Sequence, residues 1–413
     1  MKNLLLIFPE IYNGKKELRY PPFGLVCIAS YVEKYGYQVD LYDRNLPDNT
    51  VEKLIQLLDE TQYQYIGISS MFIQKDDANV LLGLVKAHHK GKILVGGDYF
   101  VEYRKQYKSQ VDYISCGDGE IFLKELLDAE KENGIYVTEK LPDIDEIPIP
   151  TKRILDSVAW DKRVFAIKTS RGCPFNCIFC SATNNSCSRV RYHSAEYIIS
   201  YLEFIMNTYG INKFRFMDDV FTLNKKRVLE FCRLLKTRRL DIEVVECFSH
   251  ISVQDPEIFT AMAGAGFKSI QVGVESGNDE ILHIIGKGTT VSQIRKTVNL
   301  IKDCGLKVEG LYMMGNIGET KETIIKTIEL MKSLPTYKDW FSFACPLPNS
   351  KFYQMAMTNG TVLTDDYNRY TNVEVIFVPN GLTKEEMEEL MVLARKEVKA
   401  KIIRNYNSRL GEK

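Results

Sequence analysis

The chain has 413 residues, 45% hydrophobic and 26% charged, with 54 Lys+Arg balanced by 54 Asp+Glu. That length gives room for two or three domains with cores of their own, and the zero net charge excludes a bulk attraction to nucleic acid or to an anionic membrane. No stretch approaches the roughly 20 apolar residues of a membrane span. The opening MKNLLLIFPE is too short in its apolar run for a secretory signal, so a cytoplasmic location with reduced cysteines is expected.

The first 130 residues alternate between strand-like and helix-like segments. Short apolar runs at 3–8, 65–69, 92–97 and 111–116 and an alternating segment at 37–43 predict five strands; helical patterns end at Lys34 and cover 51–60, 76–89 and 119–131. Buried strands separated by helices predict a parallel, doubly wound α/β sheet covered on both faces. Ligands of such sheets sit beyond the carboxyl ends of the strands. Those ends here read YPPFG, SSM, GGD and CGDGE, and they supply Gly24, Ser69, Ser70, Gly96, Gly97, Gly117, Gly119 and Glu120 as candidates for close backbone approach. Three prolines in LPDIDEIPIPTK mark a linker, taken as 141–160, after a first domain of 1–140.

A second alternation follows. Strand-like runs at 164–169, 213–218, 242–247, 269–276, 307–315 and 340–345 enclose helical patterns near 194–208, 225–236, 255–264, 291–303 and 319–333. Six such repeats predict a partial (β/α)6 barrel over 161–345, with its chemistry at the C-terminal strand ends. Residues 346–413 form a short, mostly helical C-terminal region that ends in one long amphipathic pattern.

The loop after the first barrel strand reads RGCPFNCIFC and carries Cys173, Cys177 and Cys180. Clustered thiolates bind soft metals, as iron–sulfur clusters or zinc. A structural site usually takes four protein ligands, whereas a site that does chemistry keeps a position open. Three thiolates on a 4Fe-4S cluster leave one iron free for a small molecule. The alternative is a zinc site completed by Cys187. The other cysteines read as small buried hydrophobes. Of the five histidines, His88 and His89 read as surface residues; His193, His250 and His283 stay open between structure and the barrel mouth.

The spacing C-x-x-x-C-x-aromatic-C, with Phe179 as the aromatic, resembles the signature of the radical S-adenosylmethionine (SAM) superfamily. The resemblance implies that the open iron chelates SAM and that the reduced cluster cleaves it to a 5′-deoxyadenosyl radical. FMDDVF (216–221) resembles that family's acidic strand end, which implies Asp218 and Asp219 near the SAM amino group. GVESGN (273–278) resembles the motif that implies Glu275 and Ser276 near its ribose or methionine part. MMGNIGET (313–320) and CPLPNS (345–350) resemble later strand ends of the family, with substitutions in both.

The first domain, from YPPFGLVCIASYVEKYGYQVDLYD (20–43) onward, resembles the flavodoxin- or Rossmann-like cobalamin-binding domain that precedes many such barrels. It lacks the Asp-x-His-x-x-Gly motif that provides a lower histidine ligand, and GGDYF stands where GGPHPT is usual. The resemblance implies cobalamin across the carboxyl edge of the sheet. The expected function is cobalamin-dependent methylation of an unactivated carbon, one SAM methylating the cobalamin and a second generating the radical. It also implies a small-molecule or peptide-like substrate and a reductant such as flavodoxin or ferredoxin. Alternatives are radical cyclisation or rearrangement without methyl transfer, methylthio transfer, and non-catalytic SAM or cobalamin binding. No individual catalytic residue and no substrate is legible in the sequence.

Overall fold

The computed structural model describes residues 3–11, 20–138, 141–181 and 189–411. The chain divides into two compact units, Met1–Ala166 and Ile167–Lys413.

The first unit is built on β1 (Asn3–Phe8), β2 (Gln38–Asp43), β3 (Tyr65–Ser69), β4 (Lys92–Gly96), β5 (Tyr113–Cys116) and β6 (Gly134–Val137). They form one sheet in the order β2-β1-β3-β4-β5-β6, and every pairing is parallel. Leu4–Ile7, Tyr65, Ile66, Ile68, Val95, Tyr113 and Ile114 are buried regardless of which face they point to. Two-sided burial of this kind explains why these strands read as continuous apolar runs, whereas β2, with exposed Gln38 and Asp40, reads as an alternation. β6 extends the five strands expected from the sequence. Three of its residues are only half-buried and Val137 is exposed, as befits an edge strand, and GIYV is too short to carry a periodic signal.

The proline-rich segment packs within this unit. Ile144 and Ile147 bury against Tyr31, and Trp160 Nε1 donates to the Leu155 carbonyl at 2.9 Å. The buried Asp43 accepts from Ala159 N at 2.7 Å, tying the segment to the end of β2.

The second unit carries a sheet in the order β14-β13-β12-β11-β10-β7: β7 (Phe165–Ile167), β10 (Lys213–Phe216), β11 (Glu243–Ser249), β12 (Ser269–Glu275), β13 (Lys307–Met314) and β14 (Lys338–Phe343). The pairings from β10 to β14 are parallel. Between β7 and β10, β8 (Ser170–Arg171) and β9 (Arg191–Tyr192) pair antiparallel. The helices between strands begin where the sequence offers a side-chain acceptor for a free N–H: Ser194, Asn224, Asn278, Thr290 and Thr320 each cap one. Phe216, Phe221, Phe231 and Phe267 form an aromatic cluster between β10 and the helix Lys225–Thr237.

After β14 come the helix Lys351–Asn359, the antiparallel pair β15 (Gly360–Val362) and β16 (Phe377–Pro379), and the helix Lys384–Gly411. No described helix is long and apolar enough to cross a membrane.

Candidate functional site: a thiol loop and a glycine-lined sheet edge

The thiol loop leaves β7 through Thr169 and β8. Gly172 sits at φ +96°, a left-handed conformation that favours glycine, and turns the chain into Cys173. The base of the loop is a buried polar knot. Asp218 accepts from Thr169 N at 3.0 Å, from Thr169 Oγ1 at 2.9 Å and from the Ser170 hydroxyl. Arg227, also buried, donates to the Thr169 carbonyl at 2.8 Å and the Phe221 carbonyl at 3.0 Å. Burial pushes the Asp218 carboxyl up, while Arg227, Ser170 and Thr169 pull it back down. Every bond of Asp218 named here holds the frame of the loop.

Further along, Ile178 N donates to the Ile285 carbonyl at 3.0 Å, and Phe352 N donates to the Ile178 carbonyl at 2.9 Å. Phe175 stacks on His250, with ring centroids 3.6 Å apart and planes 17° apart. Burial and the Lys287 charge hold the His250 ring neutral, with its pKa lowered to about 3. His193 is buried and stacks on Tyr197, whereas His283 is exposed. His88 and His89 are half-buried; His88 lies 2.9 Å from Asp59.

Cys173, Cys177 and Cys180 are free thiols, Cys177 buried and the other two partly open. Burial pushes Cys177 up to about 11, with Lys287 opposing; Cys173 and Cys180 each add to the shift, so the three sulfurs share one electrostatic environment. No three described His, Cys, Asp or Glu side chains are arranged to hold a single metal ion. Three soft donors on one loop suit the separate irons of a cluster. Cys187 lies outside the described residues, and with it the zinc alternative.

Asp219 and Glu275 reach the same neighbourhood. Asp219 is half-buried, 3.6 Å from Lys168 Nζ, and its charge acts on Cys173. Glu275 ends β12 at φ +63° and pairs with the buried Lys287 at 2.9 Å. Phe179 is half-buried within the loop. Ser276 takes another direction: it is fully buried, lies 3.4 Å from the Thr327 hydroxyl and accepts from Asn278 N at 3.2 Å. Sequence reasoning missed Lys287 and Arg227, and left His250 open. The only local signal among them is Gly286-Lys287-Gly288, whose two glycines both stand at φ +67°.

In the first unit, Gly24, Ser69, Gly96 and Gly117 lie at the carboxyl edge of the sheet and are exposed or half-exposed. A Cβ on Gly24 would meet nothing within 4 Å, and one on Gly96 only Ser115 at 3.5 Å. Bare backbone there leaves room for a flat ligand. Gly97 serves the scaffold: at φ +81°, its Cβ would come 2.6 Å from the Ser70 carbonyl oxygen. Ser70 is buried, with its N–H on the Gly96 carbonyl at 3.1 Å. Gly119 packs against Ile28, where a Cβ would stand 2.7 Å from Cδ1, and Glu120 is buried. No histidine stands among these edge residues, so a corrin held here would rest on backbone and shape.

A half-barrel with a three-thiol loop after its first strand, following a parallel sheet with an open edge, defines an iron–sulfur enzyme with a second cofactor domain. The family model described as the radical SAM superfamily matches residues 167–331, and that of the B12 binding domain matches residues 9–127. Over 416 residues the chain is 30% identical to an uncharacterized methyltransferase of Pyrococcus horikoshii, covering 94% of this chain and 90% of that protein. It is 24% identical to the anaerobic magnesium-protoporphyrin IX monomethyl ester cyclase of Cereibacter sphaeroides, over 93% of this chain and 68% of that one. In fold it is similar to the radical SAM methyltransferase TsrM from Kitasatospora setae, with TM-score 0.73 at 16% identity, covering 94% of this chain and 82% of that one. The chain belongs to the radical SAM superfamily, in its cobalamin-binding methyltransferase subgroup. Its radical SAM domain implies a 4Fe-4S cluster and SAM, and its B12 binding domain implies cobalamin.

Proposed function

We propose that this enzyme transfers a methyl group to an unactivated carbon of a small-molecule or peptide-like substrate. The observation that carries the reading is the joint presence of the three-thiol loop and the glycine-opened sheet edge in one chain. When bound, the cluster supplies the electron that cleaves SAM to a 5′-deoxyadenosyl radical, and cobalamin supplies the methyl carrier.

In this reading Cys173, Cys177 and Cys180 hold the cluster. Asp219, Glu275 and Phe179 face SAM, with Asp218 and Ser276 fixing the strand ends beneath them. Gly24, Ser69, Gly96 and Gly117 admit the corrin, with Ser70, Gly97, Gly119 and Glu120 shaping the edge. The proposed domain roles are cobalamin binding before the proline-rich segment and radical chemistry after it. A reductant of the flavodoxin or ferredoxin type, in the cytoplasm, delivers the electron; that all nine described cysteines are free supports a reducing compartment.

The test is anaerobic reconstitution followed by turnover with methyl-labelled SAM and cobalamin. Label in a product supports methyl transfer. Release of 5′-deoxyadenosine with an unlabelled, cyclised product supports the second reading, radical cyclisation, which the 24% identity to cyclases favours. A protein that binds SAM but never cleaves it when fully reduced overturns both.

A further inference from the structure

Lys287 is a buried cation that the reaction outlined above leaves without a role. Its side chain is 8% exposed, and it is delivered inward by a loop that reverses on both sides, at Gly286 and Gly288. Gly286 abuts the thiol loop: a Cβ there would lie 2.9 Å from the Asn176 carbonyl oxygen and 3.7 Å from Cys177 Cα. Together with the Ile178–Ile285 main-chain bond, this sets Lys287 directly against the segment that carries Cys177 and Cys180.

The ammonium donates to Glu275 Oε1 at 2.9 Å. Room for that pair is made in the sheet itself, because a Cβ on Gly273 would collide with both Glu275 Oε1 and Lys287 Nζ. β12 is bulged at this point, its register with β13 shifting between Gly273 and Glu275, and Glu275 takes a left-handed conformation that costs about 1 kcal/mol for a non-glycine residue. Four departures from regular structure (Gly273, the bulge, Glu275 and the Gly-Lys-Gly loop) thus converge on one ion pair beside the thiols. The Glu275 carboxylate, 2.9 Å from the ammonium, supplies the counter-charge that a buried lysine needs.

A cluster on these thiols gains one negative charge on reduction. A fixed cation beside it stabilises the reduced form more than the oxidised form, and a fixed anion does the reverse. We propose that Lys287 and Glu275 are positioning residues that set the reduction potential of the cluster, the lysine raising it and the glutamate restraining it. The inference rests on the cluster assignment of the proposed function.

The experiment is an EPR-monitored redox titration of the anaerobically reconstituted full chain without SAM, with iron and sulfide measured for each variant. Lys287→Met should lower the midpoint by about 60 mV, the one-electron equivalent of a tenfold smaller reduced-to-oxidised ratio. Glu275→Gln should move it the opposite way, and Lys287→Arg should stay close to wild type. Should Lys287→Met fail to hold iron, the upward shift of Glu275→Gln against an unmoved Lys287→Arg still carries the test. Shifts of the same sign in Lys287→Met and Glu275→Gln, or none with the cluster intact, overturn the inference alone, since a purely structural role gives no opposed signs. A wild-type chain that takes up no 4Fe-4S cluster overturns the proposed function with it.

Discussion

Lys401 donates to Asp339 at 2.8 Å, across 62 residues of sequence, with both side chains no more than 5% exposed. The lysine also donates to the Met331 carbonyl at 2.6 Å and contacts the Thr336 hydroxyl, while Asp339 accepts from Tyr312 at 3.0 Å. The C-terminal helix is thereby locked onto the last βα repeat of the second unit. Removing one partner of a buried pair strands the other, so Lys401→Ala should cost about 3–5 kcal/mol. The double replacement Lys401→Met/Asp339→Leu should cost less than Lys401→Ala alone. Urea midpoints of the full-length variants check both; equal midpoints for wild type and Lys401→Ala would show that the pair contributes nothing.

Glu319 is fully buried and accepts from Gly315 N at 2.6 Å and Asn316 N at 2.9 Å, which clasps the turn after β13. Burial pushes its carboxyl up to about 7, against the pull of those two N–H groups. In the unfolded chain the group titrates near 4.5, the ordinary value for a glutamate. Below that pH both states hold the proton and Glu319 contributes nothing to the pH dependence. As pH rises toward 7, the unfolded state releases its proton and the folded state keeps it, so stability falls, by at most about 3 kcal/mol. Melting temperatures measured from pH 5 to pH 8 should therefore decline more steeply for wild type than for Glu319→Gln. Parallel slopes would refute the buried, proton-holding carboxyl.

Asp218 and Arg227 brace the base of the thiol loop through Thr169. Asp218→Ala leaves the guanidinium buried without its counter-charge and should cost about 3–5 kcal/mol, with less iron retained after reconstitution. Asp218→Asn keeps an acceptor and should do less damage. Iron content and thermal midpoint, taken together, check the ranking; full iron loading in Asp218→Ala would separate Asp218 from the loop.

Gly286 and Gly288 share the same φ of +67°, yet only Gly286 has neighbours within reach of a Cβ. Gly288→Ala should cost only the left-handed strain, about 1–2 kcal/mol, and still take up iron. Gly286→Ala adds a clash with the Asn176 carbonyl and should displace the thiol loop, with markedly lower iron binding. The comparison cancels the shared backbone strain, so equal iron uptake by the two variants would remove the contact from the account.

Much of the architecture was legible because it is written locally. The run NLLLIF is β1 with the same bounds, and YIGIS is β3. The helix at Val291–Asp303 begins after Thr290, whose hydroxyl and Gln293 form a capping box visible in the sequence itself. β6 escaped because four residues at an edge, three half-buried and one exposed, carry no period. In the candidate site, the three cysteines could be read from spacing alone, since a short loop brings them together through covalent connectivity. Lys287 could not: in HIIGKGTT it reads as a solvated charge, and only its approach to Glu275, twelve residues away, turns it inward.

The sequence by itself determined most of the segments that become strand or helix, and which loop carries the thiols, because periodicity, capping and short spacing act between near neighbours. Tertiary structure alone decided that Arg227, Asp218, Lys287, Lys401 and Glu319 would be buried. A charge can leave water only where partners from distant parts of the chain compensate its lost hydration, and those partners exist only once the sheet has assembled.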